Sequence, residues 1–577
     1  MIFTKEYKYK NHLIISFFLI FFILGALVHD DYGISWEEDN HRLNGQTSIR
    51  YIDKFIDEFS ISKFLNNELP SLEGGPYKDM HNNYIILTNS KHYGSIFDVL
   101  LEYIDGLIQF SDARDFFIFK HFVNFCVFFI ASIFFFDLVS TRFSDWRIGL
   151  FGSLVLILSP RIFAESFYNM KDLIFMSLFI ISMNTGSKYL INPNLKNIFL
   201  FSITSALLID IRSIGILLPI LVVFLTTLQY FHRSIAFKNL LTNSTLFIFL
   251  MFLFTILFWP RLWEAPYSNF ISSLAFLKNH PAIIKNLYLG EYIGSNDIPW
   301  HYLPVWIVIT TPLLYTILFF FGFFSMLKRF LKRLKKIDVS KKNYNDIWKG
   351  KKELLDLFFL GLFLGPLLSI IIADSTLHDG WRQAYFLYPP LLMIALYGFY
   401  QLNIILNKKK IKKYFLFIIL LFPLSTFFWK IKEHPFQNVY FNHLASKNPD
   451  KYFELDYHGL SNREILERLL KKDPKDIIKI WVSSHTPLHT TINNMIDKKD
   501  RVRIKTVKNI EESDYILNNN RYLGGENSML DFVTVIEDGN RMVRTKFNSV
   551  KNQFEVFEQI KVGNIVINTL YKNKKIY

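Results

Sequence analysis

The chain has 577 residues, 51% of them hydrophobic, with 61 Phe, 24 Gly, 19 Pro, one cysteine and a formal net charge of +15. Positive mean hydropathy and apolar blocks of about 17 to 23 residues, each able to cross ~30 Å of hydrocarbon as a helix, exclude an ordinary soluble globular protein. The lone Cys126 excludes an intrachain disulfide and a cysteine zinc site, and clustering of the positive residues between apolar blocks makes the charge a topology signal rather than a nucleic-acid surface.

In chain order, Lys5, Lys8 and Lys10 precede an apolar run from His12 to Val28 that lacks a small-residue cleavage site, which predicts an uncleaved first helix over 12–29. Further helices are predicted at 117–138, 148–160, 173–190, 198–211, 213–231, 242–259, 303–324, 354–373, 383–402 and 414–430, eleven in all. The pieces at 148–160 and 198–211 are short for membrane spans. With the N-terminus in the cytoplasm, the two most basic linkers, 325–353 and 407–413, fall on the cytoplasmic side, as the positive-inside bias requires. An odd number of spans then puts residues 431–577 outside. That tail is polar and alternating, with strand patterns at Ile478–Val482 and Asn564–Asn568 and a helix at Ser461–Lys472, where Ser461 and Glu464 read as a capping box. The expected fold is thus a polytopic α-helical membrane protein over 1–430, with 30–116 as its first outer loop, followed by a small α/β extracytoplasmic domain over 431–577.

The outer segments carry the chemistry. Asp30, Asp31, Glu37, Glu38 and Asp39 place five carboxylates in ten residues directly after the first helix. Such acids repel one another unless they bind something, and one held beside apolar surface can act as a general base, with a solvated loop start as the alternative reading. Lys171 and Asp172 stand at a helix start, where helix capping is the alternative reading. Arg212 lies in an apolar run beside Asp210, either as an intramembrane functional charge or as an outer turn. His378, Asp379 and Arg382 sit between two spans, and Arg382 can hold a phosphate through its bidentate fork. Arg261, Trp300 and His301 add cations and aromatic surface, which reads equally as an interface belt and as sugar-stacking surface. No P-loop, dinucleotide fingerprint, His-Glu-x-x-His or Gly-x-Ser-x-Gly is present, so an activated donor has to arrive through the membrane.

Taken together, Trp36-Glu37-Glu38, Ser159-Pro160-Arg161 with Tyr168-Asn169-Met170-Lys171-Asp172, Pro299-Trp300-His301-Tyr302-Leu303-Pro304, and His378-Asp379-Gly380-Trp381-Arg382 followed by Leu387-Tyr388-Pro389-Pro390 resemble the GT-C glycosyltransferases. The resemblance is to the family 39 protein O-mannosyltransferase-like and lipid A aminoarabinose transferase-like bacterial enzymes, over about residues 12–460. His434-Pro435-Phe436 and Phe453-Glu454-Leu455-Asp456-Tyr457 look like the start of the outer domain in bacterial members. The resemblance implies an inverting transferase of the bacterial inner membrane that moves a sugar from a polyprenyl-phosphate donor to a glycan, lipid or protein hydroxyl. The family's acidic pair is usually Asp-Glu, whereas here it is Glu37-Glu38, which leaves Glu37, Glu38 and Asp39 open as the base, with Asp172 assisting. Lys171, Arg212, Arg261, Trp300, His301, His378, Asp379 and Arg382 would hold the lipid phosphate and sugar. A divalent cation is compatible with such chemistry, but the acids have no diagnostic ligand spacing and no metal site is assigned. A transporter or flippase for a lipid-linked saccharide, and a non-catalytic envelope assembly protein, are the competing readings.

Overall fold

A computed structural model of the chain describes residues 9–53, 92–231, 235–278, 284–335, 347–407, 412–482, 488–521, 533–537, 541–545 and 553–575. The basic residues at 336–346 and 408–411, and much of the first outer loop, lie outside the described residues. The helical part comprises α1 (Lys10–Val28), α2 (Glu38–Asp53), α3 (Ile96–Ile108), α4 (Ala113–Phe143), α5 (Trp146–Ile157), α6 (Pro160–Tyr168), α7 (Asp172–Ile191), α8 (Leu195–Ile211), α9 (Leu217–Phe231), α10 (Phe237–Phe258), α11 (Pro266–Lys278), α12 (Tyr302–Thr310), α13 (Leu313–Leu334), α14 (Gly350–Ile372), α15 (Tyr388–Ile405) and α16 (Lys412–Lys432).

Helices occupy every predicted span. Among the described residues, however, seven helices are long and apolar enough to cross a membrane, or eight if α5 and α6 count as one broken span. The predicted spans 148–160, 198–211, 383–402 and 414–430 are not among the seven, and the first two have local causes. Pro160 carries no backbone N–H and starts α6 afresh, so the predicted 148–160 helix bends by 69° into α6. Pro312 likewise divides the predicted 303–324 helix into α12 and α13, but α13 alone keeps span length and is one of the seven. Helix α8 has only 17 residues, short of the ~20 that a span needs.

Packing among the helices is largely aromatic, which accounts for the Phe content. Phe21 of α1 meets Phe125 of α4 edge-on at 5.3 Å, and Phe125 stacks on Phe167 at 5.2 Å. Where α13 crosses α15, small residues replace rings. A Cβ on Gly322 would lie 2.1 Å from the Ile394 carbonyl oxygen, and one on Gly398 would lie 2.2 Å from that of Leu318. Close backbone approach at small residues is how helices gain van der Waals contact without a hydrophobic drive from water.

The C-terminal part is a five-stranded mixed sheet in the order β4-β3-β5-β9-β8. Its strands are β3 (Ile478–Val482), β4 (Ile504–Thr506), β5 (Tyr515–Asn519), β8 (Phe554–Val562) and β9 (Ile565–Asn573), while two antiparallel strand pairs, β1 (Lys285–Tyr288) with β2 (Glu291–Gly294) and β6 (Val533–Glu537) with β7 (Arg541–Thr545), stand apart. β3 pairs in parallel with β4 and β5, while β9 is antiparallel to β5 and β8. Helix α17 (Ser461–Lys472) buries Ile465, Leu466 and Leu469 with Ile478, Ile480, Leu517 and Leu570. The predicted capping box is corrected here. Ser461 is the first helical residue, and its hydroxyl donates to Asp456 at 2.6 Å. Asp456 does the capping, accepting the N–H groups of Leu460 and Ser461 at 3.1 and 2.9 Å.

Residues 431–460 run back along the helices, while Phe436, Val439 and Leu455 pack into the core under the sheet. Asn442 donates to the carbonyls of Val308 and Thr311, both at 2.6 Å, and Tyr32 donates to Gln437 at 3.1 Å. The C-terminal sheet is therefore moored to the helices through this strap.

The Gly322 contact yields a direct prediction. Gly322→Ala is expected to lower the thermal midpoint of the purified protein in detergent, by the ~1–3 kcal/mol typical of overpacking. Gly365→Ala, where a Cβ meets nothing within 4 Å, is expected to leave that midpoint unchanged.

Candidate functional site

The chain leaving α1 is held down before it reaches the acids. Gly33 lies so close to Leu460 that a Cβ there would sit 2.2 Å from its carbonyl oxygen. Arg463 donates to the carbonyls of Tyr32, at 2.9 Å, and Asp30. Ser35 Oγ pairs with His458 Nδ1 at 2.7 Å. α2 then starts at Glu38, and the three consecutive acids fan apart. Glu38 turns inward, accepting the Ser35 N–H at 2.9 Å and lying 3.3 Å from His121 Nε2 and 3.6 Å from Lys120 Nζ on α4. Asp39 points to the outer part and accepts from Asn494 at 2.6 Å, on α18 (Leu488–Met495). Only Glu37 faces Arg382.

Arg382 is the hub of the site. Its guanidinium is 2% exposed and donates to both oxygens of Glu37, at 2.9 and 2.6 Å, and to Asp172 at 2.9 Å. It also donates to Asp379 at 3.0 and 3.3 Å. Arg212 pairs with the other oxygen of Asp172, and Arg521, just past β5, with the other oxygen of Asp379. Three carboxylates thus meet three guanidinium groups. Burial pushes the Glu37 carboxyl up, but Arg382 and then His458 outweigh it and hold it below its ordinary value. Asp379 is held below its usual range in the same way, by Arg521 and Arg382 against burial. Burial pushes the Glu454 carboxyl well up, to about 8, against the pull of Arg521.

Local backbone makes this convergence possible. Asp379 adopts φ +59° and Gly380 φ +69°, a left-handed pair that swings Asp379 back toward Arg382. The β1–β2 hairpin supports the turn: Asn286 accepts the Asp379 N–H at 3.1 Å and donates to the Leu377 carbonyl at 3.1 Å. Trp381 donates to Thr310 at 2.8 Å.

A cavity of about 490 Å³ opens onto the cluster. Glu37, Lys171, Arg212, His378 and Arg382 line it, and Ile211, Leu217, Leu274, Ile370 and Leu377 give it an apolar wall. Glu37, whose side chain is 20% exposed, is the member of the three-carboxylate cluster that reaches this space. Lys171 Nζ lies 2.9 Å from the centre of the Tyr93 ring, and burial followed by the Arg212 charge pushes the amine down to about 7. Glu37, His378 and Asp379 bring one ligand atom each within 4.8 Å of one another. Arg382 already neutralises both of their carboxylates, so this donor set suits a cation poorly.

Of the predicted site residues, Glu37, Lys171, Asp172, Arg212, His378, Asp379 and Arg382 come together. Glu38 and Asp39 are directed elsewhere, as described. Arg261, Trp300 and His301 stand outside the cavity: His301 pairs with the Tyr288 hydroxyl at 2.6 Å, Trp300 is 70% exposed, and the Arg261 carbonyl accepts from Asn269 at 2.8 Å. Sequence reasoning missed Glu165, His458 and Arg521. Glu165 accepts from Tyr385, Tyr457 and Asn169 at 2.6, 2.7 and 2.7 Å, and Asn169 also donates to Asp172 at 3.2 Å. A carboxylate between Phe163 and Phe167 was the available signal for Glu165. Arg521 ends a run of three asparagines and carried none. No family model matches the chain, and no curated protein matches its sequence.

Pairing with Arg521 depresses the folded-state pKa of Asp379 below its unfolded value, so the stability it contributes is present above pH ~4 and is lost as pH falls through the depressed value. Arg521→Ala is expected to destabilise the protein by the ~3–5 kcal/mol of a broken buried ion pair at pH 7. The gap between variant and parent in thermal unfolding should narrow as pH is lowered below ~4.

Proposed function

We propose that this membrane protein is a glycosyltransferase that moves a sugar from a polyprenyl-phosphate donor to an envelope acceptor hydroxyl, with Glu37 as the base. The observation that carries the reading is the segregation within one cavity. An ionised, accessible carboxylate, Glu37, and the cations Lys171, Arg212 and Arg382 share its polar face, while Ile211, Leu217 and Ile370 supply an apolar flank beside α9 and α14. A lipid phosphate has the same two halves.

In the proposed reaction Glu37 takes the proton of the acceptor hydroxyl, and that oxygen bonds to the anomeric carbon. The bond from this carbon to the phosphate oxygen breaks, and the lipid phosphate leaves with the electron pair. Single displacement inverts the anomeric centre. Lys171, Arg212 and Arg382 neutralise the departing phosphate, the electrostatic contribution that dominates many such reactions, so no protein acid is required at the leaving oxygen. Arg382 has two tasks. Before the donor arrives it keeps Glu37 ionised through both oxygens. A phosphate that competes for the same fork draws charge away from Glu37 and raises its basicity when the base is needed.

The proposal includes a bacterial inner-membrane location, a cytoplasmic N-terminus and an outward-facing site within a GT-C type of fold. It is supported by the opposite helix ends, where Arg142 of α4 and Arg329 of α13 both pair with Asp356 of α14, at 2.5 and 2.6 Å. That end sets two arginines against one carboxylate and leads in sequence into the basic linkers, the arrangement that favours the cytoplasmic face.

Glu37→Gln is expected to lower sugar transfer by ~10²–10⁴ in purified protein given a polyprenyl-phosphate hexose and an envelope-glycan acceptor. Asp39→Asn, which alters a contact to the outer part only, should retain most transfer. Full transfer by Glu37→Gln would remove Glu37 as the base.

A further inference from the structure

The cavity has a second polar side that the proposed chemistry does not use. Counting from Glu37, the positions three, four and seven residues on are Asn40, His41 and Asn44, and all four line the cavity. That spacing puts Asn40, His41 and Asn44 on one face of α2, which turns once every ~3.6 residues, with Glu37 directly before its first turn and accepting the His41 N–H through its carbonyl. From the neighbouring helix α3, Asp98 lines the same space. Asn44 donates to Asp98 Oδ2 at 2.6 Å, and His41 Nδ1 lies 3.5 Å from the same oxygen. Both contacts fall on Oδ2, so a carboxylate with about four lone-pair sites retains accepting capacity on Oδ1. The Asn40 amide makes no side-chain hydrogen bond to another described residue. Trp36 adds an indole at the start of this side.

This side differs in chemistry from the opposite one. Arg212 presents a guanidinium and Lys171 an amine whose charged form an arriving anion favours, as a phosphate site requires. Asn40, Asn44 and Asp98 present a mixture of amide donors, amide acceptors and a carboxylate, with no lysine or arginine among them. Neighbouring hydroxyls each need one donor and one acceptor, and planar amide and carboxylate groups supply both at hydrogen-bonding distance. An aromatic plane such as Trp36 complements the C–H face of a sugar ring.

We infer that Asn40, Asn44 and Asp98, with Trp36 and His41, form a saccharide subsite that reads the hydroxyls of an uncharged sugar ring, while Lys171 and Arg212 hold the phosphate. This rests on the glycosyl-transfer reading of the same cavity. An acidic sugar is selected against, because its carboxylate would be desolvated beside Asp98 and Glu37. The subsite also explains why the base stands at the start of α2: one helix face then carries both the base and the groups that orient the ring to be attacked.

The test is equilibrium binding to the full-length protein in nanodiscs, with three probes: polyprenyl phosphate, a polyprenyl-phosphate hexose and a polyprenyl-phosphate hexuronate. The hexose lipid is expected to bind about tenfold tighter than either of the others, the gain of one or two hydrogen bonds. Asn40→Ala and Asp98→Asn are each expected to bring the hexose lipid within about twofold of the bare lipid phosphate. Retained binding of the bare lipid phosphate shows that each variant is folded, and half-buried Asn40 carries the test alone if Asp98→Asn fails to fold. Equal binding of hexose lipid and bare lipid by the parent protein overturns the subsite and leaves the lipid-phosphate reading standing. So does unchanged discrimination by the variants, or preference for the hexuronate. Binding of none of the three lipids overturns the glycosyl-transfer reading itself.

Discussion

A guanidinium buried among three carboxylates is the constraint on which the cavity end of this protein depends. Stripping Arg382 of water costs several kcal/mol unless its donors are met. Glu37, Asp172 and Asp379 meet them, at distances between 2.6 and 3.3 Å. Each acceptor comes from a different stretch of chain: the turn after α1, the start of α7 and the turn after α14. Satisfying one side chain therefore ties three parts of the fold together. Arg212 and Arg521 then balance the charge, and Arg521 brings the outer sheet into the same network.

That balance contrasts with the other end of the helices. There two arginines share Asp356, and Arg329 also donates to the Tyr397 hydroxyl at 3.3 Å. A neutral cluster beside a cavity can exchange partners with an arriving anion, because any charge it loses is replaced. A cluster with excess positive charge and shared oxygens is better suited to anchoring helices. The two ends thus use the same residue types for different purposes, and the difference lies in stoichiometry and access to the cavity.

The outer sheet is more than an appendage. Arg521 reaches Asp379, Asn494 reaches Asp39, and His458 on the returning strap reaches Ser35. The site is completed by residues far from the motifs in sequence. None of them stands out by residue type, because an arginine after three asparagines looks like ordinary surface until the fold places it against a buried acid.

The sequence by itself determined the helical membrane character, the change to a mixed α/β tail, and most of the charged cluster. Apolar runs of span length and charge in outer turns are properties of composition and order, and they survive any arrangement of the helices. It also brought Glu37, Asp172, Arg212, Asp379 and Arg382 forward, because ionisable groups beside apolar spans are costly and rarely idle. Only the tertiary structure decided among Glu37, Glu38 and Asp39. Consecutive residues at a helix start point in different directions, and the partners that await them, Arg382, His121 with Lys120, and Asn494, lie hundreds of residues away in two of the three cases. The same reason removed Arg261, Trp300 and His301 from the site: a position between apolar runs is a matter of sequence order, whereas convergence on one guanidinium is set by how helices and turns pack.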